Sequence, residues 1–542
     1  MRRDEAIDYT PVQLPEEVDE GPIRTEVRRM RDRREWILLG LLLGASLILA
    51  VLLPLADDEV YYWCWAKELQ FSYFDHPPMT ACLIRVSTTI FGDTPFGLRV
   101  PACLANAFVL FAIARLSRSR ALLPWIACTP LFTLGSVLIT PDAPLMMFWA
   151  AYVGWLVEVH RRLSRTQADV TSHHSLHSPT IPWRLWLLGG VLLGAGVLSK
   201  YTMALAVPAG CASFLFVSRR WREWLPGYVF HGAVSFVVAS PILIHNIQHD
   251  FVPLLFQWQH TMGRTQSGLK PFAEFIGVQM LLFGTLPLFL FPWVLRNFRR
   301  LARASLLRVC CCMYALPWAF FLYKATRSPL EGNWALVSFI AFWPLAATWY
   351  SIVRKSRFWR RSVASSFIPP IICVIGLALH FVHPLPVIPI NGDRISRQVA
   401  RTAAVRQAVE TIRERGENLP VYAPTYQLTA LLRFHGVEAR QIDGLTRPSH
   451  FTQQPRHLDE VDRAYVVTEQ TIPDIITARF APAELIASYP ITVRGTVTRT
   501  LLLQRYTRQR TVERTEQTTS GLNGQETLPT PRATASPAVL PE

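Results

Sequence analysis

Charged residues are scarce in this chain, because only 17% of its 542 residues are Asp, Glu, Lys or Arg, while 50% are hydrophobic. Soluble proteins carry about 25% charged residues. The sequence also lacks a Gly-rich phosphate-binding loop, a closed metal motif such as HExxH and an internal repeat. These absences argue against a soluble, nucleotide-dependent enzyme. The many long apolar runs instead predict a polytopic membrane protein.

Cysteine is sparse as well, with nine residues and none after Cys373. Cys310 to Cys312 lie inside an apolar run, where we expect them to act as small hydrophobic residues of a membrane helix. Cys64 and Cys82 both follow the first apolar run and could pair there. Spacing alone, however, gives no disulfide connectivity.

The apolar runs predict a mainly α-helical fold with about eleven to thirteen transmembrane helices, since one or two spans could be split helices. The eleven predicted spans lie near residues 36–56, 96–114, 121–138, 142–159, 183–198, 201–217, 226–245, 272–295, 306–323, 333–353 and 363–383. The run Met79 to Phe91 is short and carries Arg85, so it predicts a helix on the membrane surface.

The basic residues indicate how the spans are oriented. The net charge is +16, and the arginines cluster in alternate loops between the spans. A basic chain could bind nucleic acid, but this spacing favours the positive-inside rule. It puts the N-terminus in the cytoplasm. The remaining loops, which hold nearly every unusual polar residue, are then external and predict one composite site on that face.

Four regions follow from these patterns. Residues 1–35 are predicted to be a disordered cytoplasmic tail, and 509–542 a second disordered tail. Residues 36–383 form the membrane domain. Residues 384–508 predict a small external α/β domain. Its predicted helices are 393–417, 426–434 and 472–479, and its predicted strands are 421–424, 464–468 and 498–504.

Two external loops carry carboxylates. Asp57-Asp58-Glu59 follows the first span, and the same loop continues to Asp75 and His76. A carboxylate there can act as a general base or hold a divalent metal, although acidic residues also simply cap helices. Asp142, in the second loop, is either a helix cap or a second catalytic carboxylate.

Basic residues occupy the other external turns. Lys200 and Arg99 either snorkel to the interface or contact a lipid phosphate. Lys324 lies near Glu331-Gly332-Asn333, a loop that could clamp an anion or only cap a helix. His260 belongs to a histidine-rich stretch starting at His245 that could offer metal ligands.

In this order, the motifs resemble the GT-C glycosyltransferases, in particular the bacterial family of the lipid A aminoarabinose transferase and the protein O-mannosyltransferase relatives. The resemblance covers roughly residues 36–350 and rests on the motifs Asp58 to Trp63, Tyr73 to Met79, Phe91-Gly92 with Gly97 to Arg99, Thr140 to Pro144, Leu198 to Thr202 and His245 to His260.

The resemblance implies a polyprenyl-phosphate-linked sugar donor, a lipid or glycolipid acceptor, inverting transfer at the external face and no nucleotide cofactor. It implies that Asp58 and Asp142 are the catalytic carboxylates, with Glu59 beside them. The donor phosphate is expected to contact a set of basic and phenolic side chains, namely Lys200, Arg99, Lys324 and Tyr62.

The resemblance also implies a possible divalent metal, held by Asp75 with His260 or His76. His76 replaces a lysine of the aminoarabinose transferase and Tyr61 replaces an arginine. These departures argue against an aminoarabinose donor. The form Tyr-Phe-Asp-His-Pro-Pro resembles relatives that use neutral or uronic sugars. Two other classes stay open: a transporter or flippase of lipid-linked sugars and an O-antigen ligase or polymerase.

Overall fold

The computed structural model describes residues 22–117, 121–171, 181–215, 221–263, 268–453, 457–469, 471–473, 477–478 and 480–508. The side chains of residues 22–35, 165–171, 221–223, 260–262 and 459 lie outside this description. So do the predicted C-terminal tail, 509–542, and parts of the predicted helix 472–479.

The membrane part of the described chain is helical. Its helices are α1 Pro22–Leu52, α2 Asp57–Lys67, α3 Met79–Phe91, α4 Pro95–Leu116, α5 Leu123–Ala127, α6 Asp142–Thr171, α7 Trp183–Ser199, α8 Ala206–Leu215, α9 Trp221–Gln248, α10 Val252–Met262, α11 Leu269–Phe283, α12 Leu286–Leu301, α13 Ser305–Ala325, α14 Leu336–Val353, α15 Arg357–Ser366 and α16 Ile368–Val382.

Five helical segments within the described ranges are long and apolar enough to cross a membrane, or seven if two sharply bent pairs each count as one span. The eleven predicted apolar runs exceed this number, and three further apolar helices within the described ranges, Met79–Phe91, Trp183–Ser199 and Tyr201–Leu215, are shorter than 18 residues. The run 121–138 contains only the five-residue α5 and two 3₁₀ turns. The run 272–295 is split into α11 and α12, which meet at 102°. Hydropathy counts apolar residues but does not detect where Pro and Gly interrupt a helix.

The N-terminal prediction also needs correction. Helix α1 begins at Pro22, so part of the segment expected to be a disordered tail is helical. Arg and Glu are good helix formers, and they extend the helix of the following apolar run toward the N-terminus. Helix α1 ends before Pro54, and the chain turns by 87° into α2.

The C-terminal region contains two further helices and one mixed sheet. Its elements are α17 Arg394–Arg415, β1 Val421–Ala423, α18 Tyr426–Phe434, β2 Ala439–Gln441, β3 Arg463–Thr468, β4 Glu484–Val493 and β5 Thr496–Thr507. The strand order is β2-β1-β3-β5-β4. Strand β1 pairs in parallel with β2 and β3, whereas β5 runs antiparallel to β3 and β4. The sequence missed β2 and β4.

Local signals explain the helices that frame the site. Asp393 caps α17 by accepting a hydrogen bond from the Ser396 amide, and Thr425 caps α18 in the same way. Helix α18 packs on α2, so apolar residues of both share one core. The C-terminal region therefore lies directly over the first carboxylate run, and this packing positions the candidate site.

Candidate active site

The predicted site residues come together around Tyr62 on α2. The Tyr62 phenol lies within electrostatic range of the carboxylates of Asp58, Asp75 and Asp142. The His76 ring also lies close, with its centroid 6.2 Å from that of Tyr62. The loop after α1 and the loop before α6 thus meet at one place, although they are far apart in sequence.

Glu59 and Arg99 form a fully buried ion pair. The Arg99 Nη2 donates to Glu59 Oε2 at 2.6 Å and the Nε donates to Oε1 at 2.8 Å, with both side chains 0% exposed. Arg99 also donates to the carbonyls of Leu53 and Pro54. The pair therefore fixes the turn between α1 and α2. This burial speaks against the expectations that Arg99 contacts a donor phosphate and that Glu59 is catalytic.

Glu59 also contacts the loop that precedes α6. Its carboxylate accepts hydrogen bonds from the backbone amides of Ala56, at 2.8 Å, and Ile139, at 3.1 Å. Ile139 precedes the loop that delivers Asp142 to the start of α6. A single buried carboxylate therefore sets the positions of both carboxylate-bearing loops relative to each other.

Asp142 and Lys200, predicted to serve different roles, are bonded to each other. The Lys200 Nζ donates to Asp142 Oδ1 at 2.8 Å, and the Asn333 Nδ2 donates to Oδ2 at 2.7 Å. Both partners of the ion pair are about nine-tenths buried. An ammonium has three N–H donors, and this bond uses one of them. Lys200 therefore keeps donors that could reach a phosphate.

Asp75 is held from two sides. The Tyr61 hydroxyl donates to Asp75 Oδ2 at 2.6 Å, and the Arg447 Nη1 donates to Oδ1 at 2.7 Å. Arg447 belongs to the C-terminal region. Although burial acts against it, the Asp75 carboxylate raises the pKa of Arg447, so the guanidinium stays charged.

Asp58 is the exposed member of the acidic set, whereas Glu59, Asp75 and Asp142 are buried. The Tyr426 hydroxyl, from the first turn of α18, donates to Asp58 Oδ1 at 3.2 Å. Burial raises the pKa of Tyr426, and the Asp58 carboxylate raises it further. The phenol thus remains a hydrogen-bond donor, and the Asp58 side chain stays exposed.

Asp57 joins the two parts of the molecule. It forms an ion pair with Arg401 of α17, and Arg401 also lies 3.6 Å from the Glu469 carboxylate. Asp57 therefore links the first loop to the C-terminal region through Arg401. Asp58 is the exposed carboxylate of this run.

The other predicted residues lie in different surroundings. Lys324 is buried at the end of α13 and donates to the Gly263 carbonyl at 3.1 Å. The side chain of His260 lies outside the described residues. Cys64 is buried and Cys82 exposed, and both are free thiols, so the possible disulfide is absent.

The residues described around Asp75 do not fit a metal centre. Both oxygens of Asp75 accept hydrogen bonds from other side chains, and one of those partners is a guanidinium, which cannot bind a cation. Across the described ranges, no group of three His, Cys, Asp or Glu side chains is placed to hold a metal ion. Asp75, one of the expected metal ligands, is instead paired with Arg447.

Sequence reasoning missed the contribution of the C-terminal region. Tyr426, Arg447 and Arg401 each contact one carboxylate of residues 57–75, from more than 300 positions away. No spacing in the sequence links residues at that distance. Asn333 was inside a loop that the sequence marked as an anion clamp, but its bond to Asp142 was not predictable.

Comparisons with known proteins agree with this architecture. The family model described as dolichyl-phosphate-mannose-protein mannosyltransferase matches residues 75–167 and 176–245. The lipid A galacturonosyltransferase of Rhizobium johnstonii is 26% identical over 67% of this chain and 74% of its own length. The undecaprenyl phosphate-alpha-4-amino-4-deoxy-L-arabinose arabinosyl transferase 1 of Pseudomonas fluorescens is 24% identical, and the chain matches only 54% of its length.

The fold is that of a solved membrane protein. The crystal structure of ArnT from Cupriavidus metallidurans bound to undecaprenyl phosphate superposes with a TM-score of 0.55 and 15% identity, over 86% of this chain and 98% of ArnT. The expectation of a mainly helical membrane fold with a small C-terminal α/β region is confirmed. In sequence and in fold, the chain resembles the polyprenyl-phosphate-dependent GT-C glycosyltransferases, as its loop motifs predicted.

Proposed function

We propose that this chain is a glycosyltransferase of the bacterial inner membrane. It transfers a sugar, with inversion, from a polyprenyl-phosphate donor to lipid A or to the core oligosaccharide of lipopolysaccharide. The observation that carries the proposal is Asp58, an exposed carboxylate among buried, paired ones. The names of the relatives support both the donor and the acceptor class.

The proposed reaction is a direct displacement. Asp58 removes the proton from the acceptor hydroxyl, the oxygen forms a bond to the anomeric carbon, and the bond from that carbon to the phosphate oxygen breaks. The polyprenyl phosphate leaves with the electron pair. Lys200 is the proposed contact of the leaving phosphate, because Asp142 holds its ammonium in place. One such preorganised donor is worth about 3–4 kcal/mol in the transition state.

The sugar is proposed to be a hexose or a uronic acid. Tyr61 and His76 replace residues of the aminoarabinose transferase, and Tyr61 here binds Asp75. The galacturonosyltransferase also aligns over more of its own length than the arabinosyl transferase of Pseudomonas fluorescens. Both points favour a donor other than aminoarabinose.

The N-terminus is proposed to be cytoplasmic, with the site and the C-terminal region in the periplasm. The arginine-rich loops support this direction through the positive-inside rule. A periplasmic site also agrees with a lipid-linked donor, which needs no nucleotide. The metal expected from the resemblance is not part of the proposal, since Asp75 is bonded to Arg447.

The decisive experiment replaces Asp58 in the full-length protein. Membranes that contain wild-type protein, Asp58→Asn or Asp93→Asn are supplied with polyprenyl-phosphate-linked sugars. Mass spectrometry then compares lipid A, core oligosaccharide and membrane proteins. We expect D58N to lose about 10²-fold or more of the activity, as is typical when a general base is removed.

Asp93 is the matched control, because it is an exposed carboxylate that pairs with Lys67 outside the Tyr62 cluster. D93N is expected to stay within about twofold of wild type, in line with small effects of surface changes. Full transfer by D58N would refute the assignment of the base. A mass increase on proteins alone would point to the protein O-mannosyltransferase alternative.

A further inference from the structure

We infer that Arg447 of the C-terminal region supplies the positive charge at Asp75, in place of a divalent metal, and positions the Asp58 carboxylate through Tyr426. Arg447 is thus a positioning residue of the site. The metal part of this inference stands on the geometry of Asp75 alone. The positioning part rests on the proposed function, because its kinetic readout needs the transfer reaction.

The first argument is the occupancy of Asp75. Its side chain is 9% exposed, so its negative charge requires a partner inside the protein. Tyr61 donates to one oxygen at 2.6 Å and Arg447 donates to the other at 2.7 Å. A phenol and a guanidinium together satisfy the carboxylate. A metal ion bound to Asp75 would place a second positive charge beside the Arg447 guanidinium.

The second argument is the path from Arg447 to Asp58. The guanidinium carbon lies 4.4 Å from the centre of the Tyr426 ring, which is a cation–π contact. The same Tyr426 donates its hydroxyl hydrogen to Asp58 at 3.2 Å. Arg447 therefore binds one carboxylate directly and fixes the ring that holds the other.

The third argument is how Arg447 is placed. It lies in the segment after β2, two residues before Ser449, whose hydroxyl bonds to the Gln441 side chain of that strand. The following residue, His450, donates its backbone N–H to the Tyr61 hydroxyl at 2.8 Å. The segment thus supplies one partner of Asp75, Arg447, and contacts the other, Tyr61. Because the Arg447 guanidinium is part of the polypeptide, a chelator cannot remove this positive charge from the site.

The first test measures metal content and needs no activity. Full-length wild-type protein and Asp75→Asn are purified in detergent, and zinc, manganese, magnesium and calcium are measured by mass spectrometry. We expect equally low, substoichiometric metal in both. About one equivalent of a metal in wild type that is lost in D75N would overturn the inference.

The second test measures coupling by thermal unfolding. The single variants Arg447→Gln and D75N and the double variant are compared with wild type. Because each single change leaves one charge without its partner, we expect the double variant to melt at a higher temperature than the sum of the single effects predicts. Additive effects would show that the two side chains do not interact and would overturn the inference.

The third test is kinetic and uses Arg440→Gln as the control. Arg440 lies on β2 of the same region, 3.8 Å from Glu438 and outside the site. R447Q is expected to lower kcat by about 10-fold or more, the size of a lost charge-assisted hydrogen bond, with a smaller effect on KM. R447K, which keeps the charge, is expected to retain part of kcat, and R440Q to match wild type.

The pH–rate profile separates positioning from a merely structural role. Among the described residues, the charged or titratable groups that act on Asp58 are Tyr426, Asp57, Arg447, Asp75 and Tyr62. Removing the one cation among them disfavours the ionised carboxylate, so the acid limb of the R447Q profile is expected to move to higher pH. An unmoved limb in a folded variant would overturn the positioning role.

Chelation completes the test. Wild-type transfer is expected to be unchanged after treatment with EDTA. Inactivation that added metal reverses would contradict the inference. If wild-type protein transfers no sugar at all, the proposed function fails, whereas the metal content and the thermal coupling still decide whether Arg447 occupies the place of the metal.

Discussion

At the scale of residues, three adjacent carboxylates have three different environments. Asp57 pairs with Arg401, Asp58 accepts a hydrogen bond from Tyr426 and stays exposed, and Glu59 is buried against Arg99. The side chains differ little in chemistry. Their partners decide which one docks a domain, which one is available for a substrate and which one holds the backbone.

The Glu59–Arg99 pair leads to a stability prediction. Glu59→Gln leaves the guanidinium buried without its counter-ion, and breaking such a pair costs about 3–5 kcal/mol. We expect a lower yield and a clearly lower melting temperature in detergent. Glu158→Gln is the control, because Glu158 forms an exposed pair with Arg162 and such pairs contribute at most about 1 kcal/mol. Equal melting of both variants would contradict the structural role of Glu59.

At the scale of elements, sharp turns between helices shape the membrane part. Helices α11 and α12 meet at 102° around Gly284, whose φ is +80°. The Gly284 amide ends α11 by bonding to the Met280 carbonyl. Its missing side chain leaves room for the Ser366 carbonyl oxygen of α15. The turn thus depends on both a left-handed backbone and a close approach.

Gly284→Ala tests this turn. An added Cβ would collide with the Ser366 oxygen, and the left-handed conformation costs a residue with a side chain about 1–2 kcal/mol. We expect a melting temperature several degrees below wild type. Gly277→Ala, in the interior of α11 with open space at its Cβ position, is the control and is expected to be neutral or stabilising. A tolerated G284A would show that the turn is not fixed by Gly284.

At the scale of the whole molecule, the C-terminal region completes the site. Arg401, Tyr426 and Arg447 each bind a carboxylate of the first loop. His450 adds a half-buried contact, with its ring 5.2 Å from that of Tyr73. The two parts of the chain are therefore one functional unit, and weakening their interface is expected to affect the site.

His450 makes this interface sensitive to acid. Burial lowers its pKa from 6.5 to about 4. Between these values the unfolded chain binds the proton and the folded chain does not, so stability is complete above pH 6.5 and falls as the pH drops toward 4. The loss is at most about 1.4 kcal/mol per pH unit.

His450→Gln is expected to lack this loss. Its melting temperature lies below that of wild type at pH 7.5, and the gap narrows at pH 4.5, as measured by thermal unfolding in detergent. His457→Gln changes an exposed histidine and is the control. Its melting temperature is expected to differ from that of wild type by the same amount at both pH values. A constant gap for H450Q as well would contradict the lowered pKa of His450.

Much of the fold and of the site was predictable because the signals are local. The apolar runs predicted α3 and α18 with the observed bounds. They also predicted most of the other long helices, with different bounds. The loop motifs identified Asp58, Asp142 and Asp75, which the structure brings around Tyr62, and Lys200, which binds Asp142. Resemblance to the glycosyltransferases followed from the same motifs and is confirmed by the comparisons.

The sequence by itself determined the membrane class, the types of side chain at the site and the order in which they occur, since hydropathy and motif spacing depend on neighbouring residues. Only the tertiary structure decided which of these side chains pair with one another. Lys200 binds Asp142, Arg99 binds Glu59 and Arg447 binds Asp75. Such pairs form between residues that only folding brings together, because a buried charge needs a partner wherever in the chain that partner lies.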